Sequence, residues 1–304
     1  MNSNIIYNFQ KLIDDLLFTK PSNYSFKIKS FKNVITLINS LDYTISLDNI
    51  KNLKCSTKIK DRIIEILNTN TLSELNNNNN NNNNNFSDLL TITGIGPTKA
   101  KKLLEANITL DILLNNPTSS ILNTLTHHQL IGLKYYHDLK KKIPKHIIIQ
   151  IQNYLNKFNF SFTICGSFRR NKDSSGDIDI LIKQTKNTSK LKNIINTLTK
   201  DKFLVSHLTT NVSTKYMGIC HIPNFSQYMR IDIRLIPEIS YPFAILYFTG
   251  SKNNNTFMRT QAIKMNLKLN EYGLYDKNNN NILLNTEKEI YDYLNLDYKN
   301  PQDR

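Results

Sequence analysis

GSFRRNKDSSGDIDILI, residues Gly166 to Ile182, holds the feature that decides the fold. Two carboxylates, Asp177 and Asp179, interrupt an apolar run two residues apart. On a strand, residues i and i+2 project the same way. The acids therefore share one face, while Ile178, Ile180 and Ile182 pack behind them. Two acids side by side repel unless a cation lies between them. Downstream, MRIDIRLI (residues 229–236) sets Asp232 between Ile231 and Ile233. If the two strands are neighbours, three carboxylates converge, enough to hold two Mg²⁺ ions in the arrangement used for in-line phosphoryl transfer. A polar strand facing water would explain the acids but not the Gly-Ser and two arginines before them. Gly166 and Ser167 offer backbone N–H groups and a hydroxyl to phosphate oxygens. Arg169 and Arg170 add charge in a planar, bidentate form suited to phosphate.

The surrounding periodicity is that of a sheet. Strands are expected at Ser161–Cys165, Ile178–Ile182, Tyr216–Ile222 and Met229–Ile236, with helices over Ile147–Phe158 and near Ser189–Leu198. Upstream the period is helical, over Phe9–Leu17, Phe31–Leu41, Lys58–Leu67 and Thr126–Lys142. From Tyr241 onward helix and short strands mix. The class is α+β, helical first and then mixed around a sheet.

Ten consecutive asparagines, Asn76–Asn85, have no apolar face to bury and predict a flexible linker. After them comes LLTITGIGPTKAKKLLEANI, residues 89–108. Gly94 and Gly96 allow a tight turn, and Pro97 falls in the first helical turn, where its missing N–H costs nothing. Backbone N–H groups at such a helix start suit a phosphate, and Thr98, Lys99, Lys101 and Lys102 follow. This is the helix-hairpin-helix pattern, which holds a DNA backbone without reading bases. KCSTKIKDRI, residues 54–63, reads as a decayed copy of the same hairpin.

The 304 residues suffice for two or three domains. A net charge of +15 suits a polyanionic partner, nucleic acid or an anionic membrane surface. A lysine-rich surface from an A+T-biased coding sequence would give the same number. No apolar run is long enough to span a membrane, and the N-terminus lacks a secretory pattern. Cys55, Cys165 and Cys220 lie far apart, which argues for a reducing compartment without structural disulfides or a zinc site.

Taken together, these motifs resemble the family X DNA polymerases, and most of all their polymerase beta branch. The likeness runs through GIGPTKAKK, HHQLIGLKYY, GSFRRNKDSSGDIDILI, KYMGIC, RIDIRLIP, YFTGS, MRTQAI, LNEYGLY and TEKEIYDYL, in that order. It implies a helical lyase-type DNA-binding domain over 1–75, the linker over 76–85 and a helix-hairpin-helix subdomain over 86–142. A nucleotidyltransferase palm over 143–240 and a nucleotide-selecting, thumb-like subdomain over 241–304 would follow. No BRCT-like segment precedes the match, so the minimal architecture is expected.

The resemblance also implies roles. Asp177 and Asp179 match acids that bridge both metals, and Asp232 the acid that helps activate the primer 3′-hydroxyl. The metals would be two Mg²⁺, with Mn²⁺ able to substitute. Lys142, Ser167, Arg170 and Gly176 match positions around the triphosphate. Tyr247, Phe248 and Gly250 match the segment against the sugar, and Asn255 a contact to the incoming base. Arg259 matches a template-side contact and Arg230 a position near the primer end. Gly94, Gly96 and Lys99 match the hairpin that grips DNA, and backbone carbonyls of Leu90, Ile92 and Ile95 a Na⁺ or K⁺ site there. Lys58 matches a phosphate-binding lysine.

Three departures stand out. Lys142 replaces a frequent arginine. Lys252 stands where the beta branch carries an acid beside the nucleotide. Arg62 occupies the place of the lysine that forms a Schiff base in 5′-deoxyribose-phosphate removal, which implies weak or absent lyase chemistry. The expected activity is template-directed gap filling in base excision repair, by a monomer acting on gapped or nicked duplex DNA and dNTPs, with no membrane partner. An end-joining or terminal-transferase-like nucleotidyltransferase is the alternative, and a catalytically dead DNA-binding scaffold the third reading. The expected location is the nucleus for a cellular protein or a cytoplasmic factory or virion for a large DNA virus, with no secretion.

Overall fold

The computed structural model describes residues 2–76, 80–158, 160–186, 190–223 and 225–304. The chain divides into two compact units, Met1–Leu133 and Lys134–Arg304.

The first unit is helical. Its long helices are α1 (Ser3–Thr19), α2 (Tyr24–Asn39) and α3 (Thr57–Thr69). They bury one stripe each, with Phe9, Ile13, Phe31, Ile38, Ile63 and Ile66 in a common core. Phe9 and Phe31 meet edge to face, centroids 5.5 Å apart. Then follow α4 (Ser73–Asn76), α5 (Asn80–Leu90), α6 (Pro97–Glu105), α7 (Leu110–Asn115), α8 (Ser119–Leu122) and α9 (His127–Lys134).

The asparagine tract departs from expectation. Residues 77–79 lie outside the described residues, but Asn80–Asn85 are the opening turns of α5 rather than a loop. Phe86 and Leu89, three apart, are fully buried, and Phe86 packs edge to face on Phe18 at 5.3 Å. That anchor holds the helix. Asparagine is a poor helix former by only about 0.7 kcal/mol per residue, so the helix extends backward into the tract.

The expected single helix over Thr126–Lys142 is also divided. It breaks at Tyr135, which leaves helical geometry between α9 and α10 (Tyr136–Leu139). Tyr135 is buried, and its hydroxyl bonds Ser206 Oγ at 2.9 Å. Tertiary burial overrides the local pattern there.

In the second unit, β1 (Ile143–Pro144) leads to α11 (Lys145–Leu155), β2 (Thr163–Ile164), α12 (Gly166–Arg169), β3 (Ser174–Ser175) and β4 (Ile178–Gln184). Next come α13 (Leu191–Lys200), β5 (Leu204–His207), β6 (Lys215–Cys220), β7 (Met229–Pro237), α14 (Tyr241–Thr249) and α15 (Lys252–Lys264). The chain ends with β8 (Lys268–Asn270), β9 (Gly273–Tyr275), β10 (Asn281–Ile282) and α16 (Glu287–Tyr293). Five strands form the main sheet in the order β2-β4-β7-β6-β5. The β4–β7 pair is parallel and the others antiparallel. Ile178, Ile180, Ile182, Ile231 and Ile233 pack with Ile151, Leu155, Ile194 and Leu198 of α11 and α13 on one face. The charged residues of β4 and β7 are left for the other. The first strand is shorter than Ser161–Cys165, and β5 carried no clear alternation in the sequence. Ser189, in the expected helix near α13, lies outside the described residues.

Gly132 shows how tightly the hairpin region is packed. A Cβ there would lie 2.0 Å from the Thr93 carbonyl oxygen, so α9 can rest on the turn before Gly94 only with glycine at this place. Gly132→Ala should therefore lower the unfolding free energy by about 1–3 kcal/mol, the usual cost of forced overpacking. Urea titration checks this, and an unchanged midpoint would mean that α9 does not need that close approach.

Candidate active site

The two acidic strands are neighbours. Asp179 of β4 stands directly opposite Asp232 of β7 in a parallel register, and Asp177 lies one residue before β4. Carboxylate oxygens of Asp177, Asp179 and Asp232 all fall within 4.8 Å of one another. Burial pushes the Asp179 carboxyl up to about 7, and the charges of Asp177 and Asp232 add to the effect. Asp177 is raised as well, by burial first and by the Asp232 charge, against the pull of Arg230 and Lys142. Arg230 offsets part of this, donating from Nη2 to Asp232 Oδ2 at 3.0 Å and from Nε to Oδ1 at 3.3 Å. Hard carboxylate oxygens crowded in this way, with Asp177 and Asp179 both raised, fit a hard divalent cation.

The turn before β4 is shaped around these acids. Gly166 has φ +60°, and a Cβ there would stand 2.8 Å from Asp179 Oδ2. Glycine alone allows both the backbone conformation and the approach. The Cys165 N–H donates to the Asp179 carbonyl at 2.8 Å. Ser167 bonds Ser175 through their hydroxyls at 2.8 Å. Pairing of Ile143 with Ser175 sets Lys142 beside Gly176, its Nζ 3.6 Å from where a Cβ would be.

The two arginines of this turn both have partners within the protein. Arg169 donates to Thr249 Oγ1 at 2.6 Å and to both Glu287 oxygens at 3.0 and 2.6 Å. Arg304 joins Glu287 from the other side and lies against the rings of Tyr291 and Tyr298. A guanidinium taken out of water needs a carboxylate, and Glu287 supplies it. Arg170 Nη1 donates to the Thr249 carbonyl and comes within 3.1 Å of where a Gly250 Cβ would lie. Both arginines thus tie the turn to the residue before Gly250. Glu287, Arg304 and Thr249 were missed in the sequence because no local pattern joins residues 118 apart.

The segment after Thr249 is also engaged within itself. Tyr247 and Phe248 end α14 at right angles, centroids 5.0 Å apart. Asn255 Nδ2 donates to the Tyr247 carbonyl at 2.8 Å. The Arg259 guanidinium lies 4.9 Å from the Tyr247 ring centroid and 3.6 Å from Glu271. Lys252 opens α15 and is exposed.

In the first unit, Leu90 ends α5, and the Ile92 carbonyl accepts the Ile95 N–H at 3.0 Å, inside the turn that holds Gly94. The Gly94 carbonyl accepts from Gln129 Nε2 at 3.1 Å, and Gly96 caps α6. Lys99, expected to grip DNA, donates to the Thr124 carbonyl at 2.6 Å from an exposed position. Arg62 is held by both Glu74 oxygens and by the Lys58 carbonyl, over the Phe31 ring. Glu74 keeps the guanidinium firmly charged.

Comparison with known proteins places these features. Residues 137–238 match the DNA polymerase beta palm, 244–304 the DNA polymerase beta thumb, and 87–140 the fingers domain of DNA polymerase lambda. DNA polymerase lambda of Arabidopsis thaliana is 28% identical over all of this chain and 62% of its own length. DNA polymerase lambda of Rattus norvegicus is 30% identical over 60% of this chain and 36% of its own. DNA nucleotidylexotransferase of Xenopus laevis is 27% identical over 59% of this chain and 44% of its own. The chain belongs to the family X DNA polymerases. It spans less than two thirds of the length of each of these relatives. Among the described residues, no helix is long and apolar enough to cross a membrane.

The crowded carboxylates have a thermodynamic consequence. Asp179 titrates at about 7 when folded, against an ordinary 3.8. The folded chain therefore holds this proton more tightly than the unfolded one, and stability declines as pH rises between those values, levelling off above the folded pKa. At about pH 8, without divalent cations, Asp179→Asn should raise stability by on the order of 2 kcal/mol. A divalent cation should raise the Tm of the wild type, and Asp179→Asn should lose most of that rise. A lower Tm in the variant would show that the acids do not strain the fold.

Proposed function

We propose that the chain is a template-directed DNA polymerase that adds dNTPs to a primer 3′ end and fills short gaps in DNA. The observation that carries this reading is the trio Asp177, Asp179 and Asp232 beside the glycine turn at Gly166, in a chain of this family. Two Mg²⁺ ions held by the three carboxylates would supply charge stabilisation at the transferring phosphoryl group and a lowered pKa for the primer hydroxyl. Lys142, beside Gly176, offers positive charge to a triphosphate. Gly250, fixed through Thr249 by Arg169 and Arg170, puts the Tyr247–Phe248 segment next to the same turn. The carbonyls of Leu90, Ile92 and Ile95, on one turn, are proposed to hold a monovalent cation against a DNA strand.

Asp232→Ala should reduce insertion into a one-nucleotide gap by at least about a thousandfold, since about 4 kcal/mol of transition-state stabilisation goes with it. Gapped-DNA affinity should change little. Near-wild-type extension by this variant would remove the assignment. The relative named for nucleotidylexotransferase activity supports a second reading, addition without a template. A single-stranded primer with no template strand separates the two, and gap filling predicts no extension there.

The Arg62 site supports the reading that lyase chemistry is weak or absent. Schiff-base formation needs an uncharged amine, and a guanidinium stays protonated. Glu74 sharpens the prediction, because it would hold a lysine at position 62 charged as well. Borohydride trapping on an incised abasic site should give no adduct with the wild type and little with Arg62→Lys. Arg62→Lys combined with Glu74→Gln should trap more than Arg62→Lys alone. Efficient trapping by the wild type would refute this.

A further inference from the structure

Helix α1 shows different faces to different neighbours. Phe9, Leu12, Ile13 and Leu16 join the core shared with α2 and α3. Asp14 and Phe18, one turn apart, meet the helices of the Gly94 hairpin instead. The Phe18 ring packs edge to face on Phe86 of α5, and the Lys101 ammonium of α6 lies 5.5 Å from its centroid. Asp14 Oδ2 accepts the Ser87 hydroxyl of α5 at 2.6 Å, and its Oδ1 accepts from Gln10 Nε2 at 2.9 Å. Asp14 is only 7% exposed. Burial pushes its carboxyl up, and the hydrogen bonds from Ser87 and Gln10 oppose that rise. A buried carboxylate costs stability unless donors hold it, and one of these two donors comes from α5.

Apolar packing alone does not fix α5 at this point. A cavity of about 690 Å³ opens between α1, α2 and α5, with Asp14, Leu17, Lys32, Ser87 and Leu90 on its walls. Phe86 and Leu89 hold one side of α5, but apolar contact has no direction and leaves the helix free to roll. Ser87 lies about 100° further round the helix than Phe86. Its directional bond to Asp14 stops that roll. The setting passes into the turn without a break. The Thr91 and Ile92 N–H groups donate to the Asp88 and Leu89 carbonyls at 3.1 and 3.2 Å, and Ile95 to Ile92 at 3.0 Å. From the other side, Gln129 of α9 holds the Gly94 carbonyl. Helices α1 and α9 thus clamp the turn proposed to lie against a DNA strand.

We infer that α1 is a brace for the Gly94 hairpin, and that the Asp14–Ser87 hydrogen bond sets how the hairpin meets DNA. This rests on the polymerase reading above. The N-terminal helices then serve DNA holding through α1, independently of any chemistry at position 62. Asp14 and Ser87 are positioning residues, which act through the turn and not on the reacting atoms.

Anisotropy titration of one-nucleotide-gapped DNA, with insertion kinetics and Tm, tests the idea in Ser87→Ala, Asp14→Leu and Asp14→Asn. Ser87→Ala and Asp14→Leu should each weaken gapped-DNA binding about threefold to tenfold, the range of one lost hydrogen bond to a charged group. At saturating DNA, kcat and the KM for dNTP should stay within about twofold, because the pair shares no partner with the acids of the second unit. Asp14→Leu removes the buried charge together with the bond, so its Tm should not fall. Asp14→Asn keeps an oxygen for the Ser87 hydroxyl and should bind as the wild type does. Adding Ser87→Ala to Asp14→Leu should cost nothing further, since the contact is already gone. If Asp14→Leu fails to fold, Ser87→Ala, at a half-buried position, decides the question. An unchanged affinity in Ser87→Ala, or a loss seen only where Tm falls, overturns the inference and leaves the bond as packing alone. A wild-type chain that neither binds gapped DNA nor extends its primer overturns the polymerase reading and this inference with it. Binding and extension by the wild type with no effect of Ser87→Ala overturns this inference alone.

Discussion

The parallel pairing of β4 with β7 is the constraint on which the second unit depends. It sets Asp179 against Asp232, with isoleucines of both strands in the core behind them. The apolar face holds the strands together whether or not the carboxylates are neutralised. The fold can therefore sustain an arrangement in which Asp179 is pushed up to about 7. This is the common logic of a functional site: local electrostatic strain held by packing elsewhere. A cation among the acids would relieve the strain.

Around that pair, arginines do structural work that a reading of charge alone would assign to ligands. Arg169 and Arg170 both reach Thr249, one through its hydroxyl and one through its carbonyl. Glu287 holds Arg169 and Arg304 together. The turn that approaches Asp179 and the segment that precedes Gly250 are thereby linked through half-buried, charge-assisted hydrogen bonds. Such bonds are strong and directional, so they fix relative position better than apolar contact does. Asn255 and Arg259, both bonded to or stacked on Tyr247, complete a closed set of contacts. A bound nucleotide would have to compete with these or use the faces they leave.

In the first unit a paired cation stands where the resemblance implies a nucleophile. Arg62 sits at the place the family resemblance gives to a nucleophilic amine, yet its two-point contact with Glu74 makes it a structural cation. The tie joins α3 to α4, just before the asparagine tract. A substitution that looks conservative in charge has a different consequence for chemistry, because arginine does not release its proton.

Much of the site was legible in the sequence because it is local. Asp177 and Asp179 alternate with isoleucines, and Asp232 repeats the pattern. Alternation of period two needs no tertiary information to predict a shared face. The Gly94–Gly96 turn and Pro97 announce a helix start in the same way. Tertiary structure decided what depends on distant residues. The asparagine tract becomes helix from Asn80 because Phe86 and Leu89 find a core. The helix at Thr126 breaks at Tyr135 because that side chain is buried against Ser206. Arg169 meets Glu287, 118 residues away, where a half-buried guanidinium finds a carboxylate partner. Propensity and periodicity act over a few residues, whereas burial and charge pairing act across the folded core, and where the two conflict the core prevails.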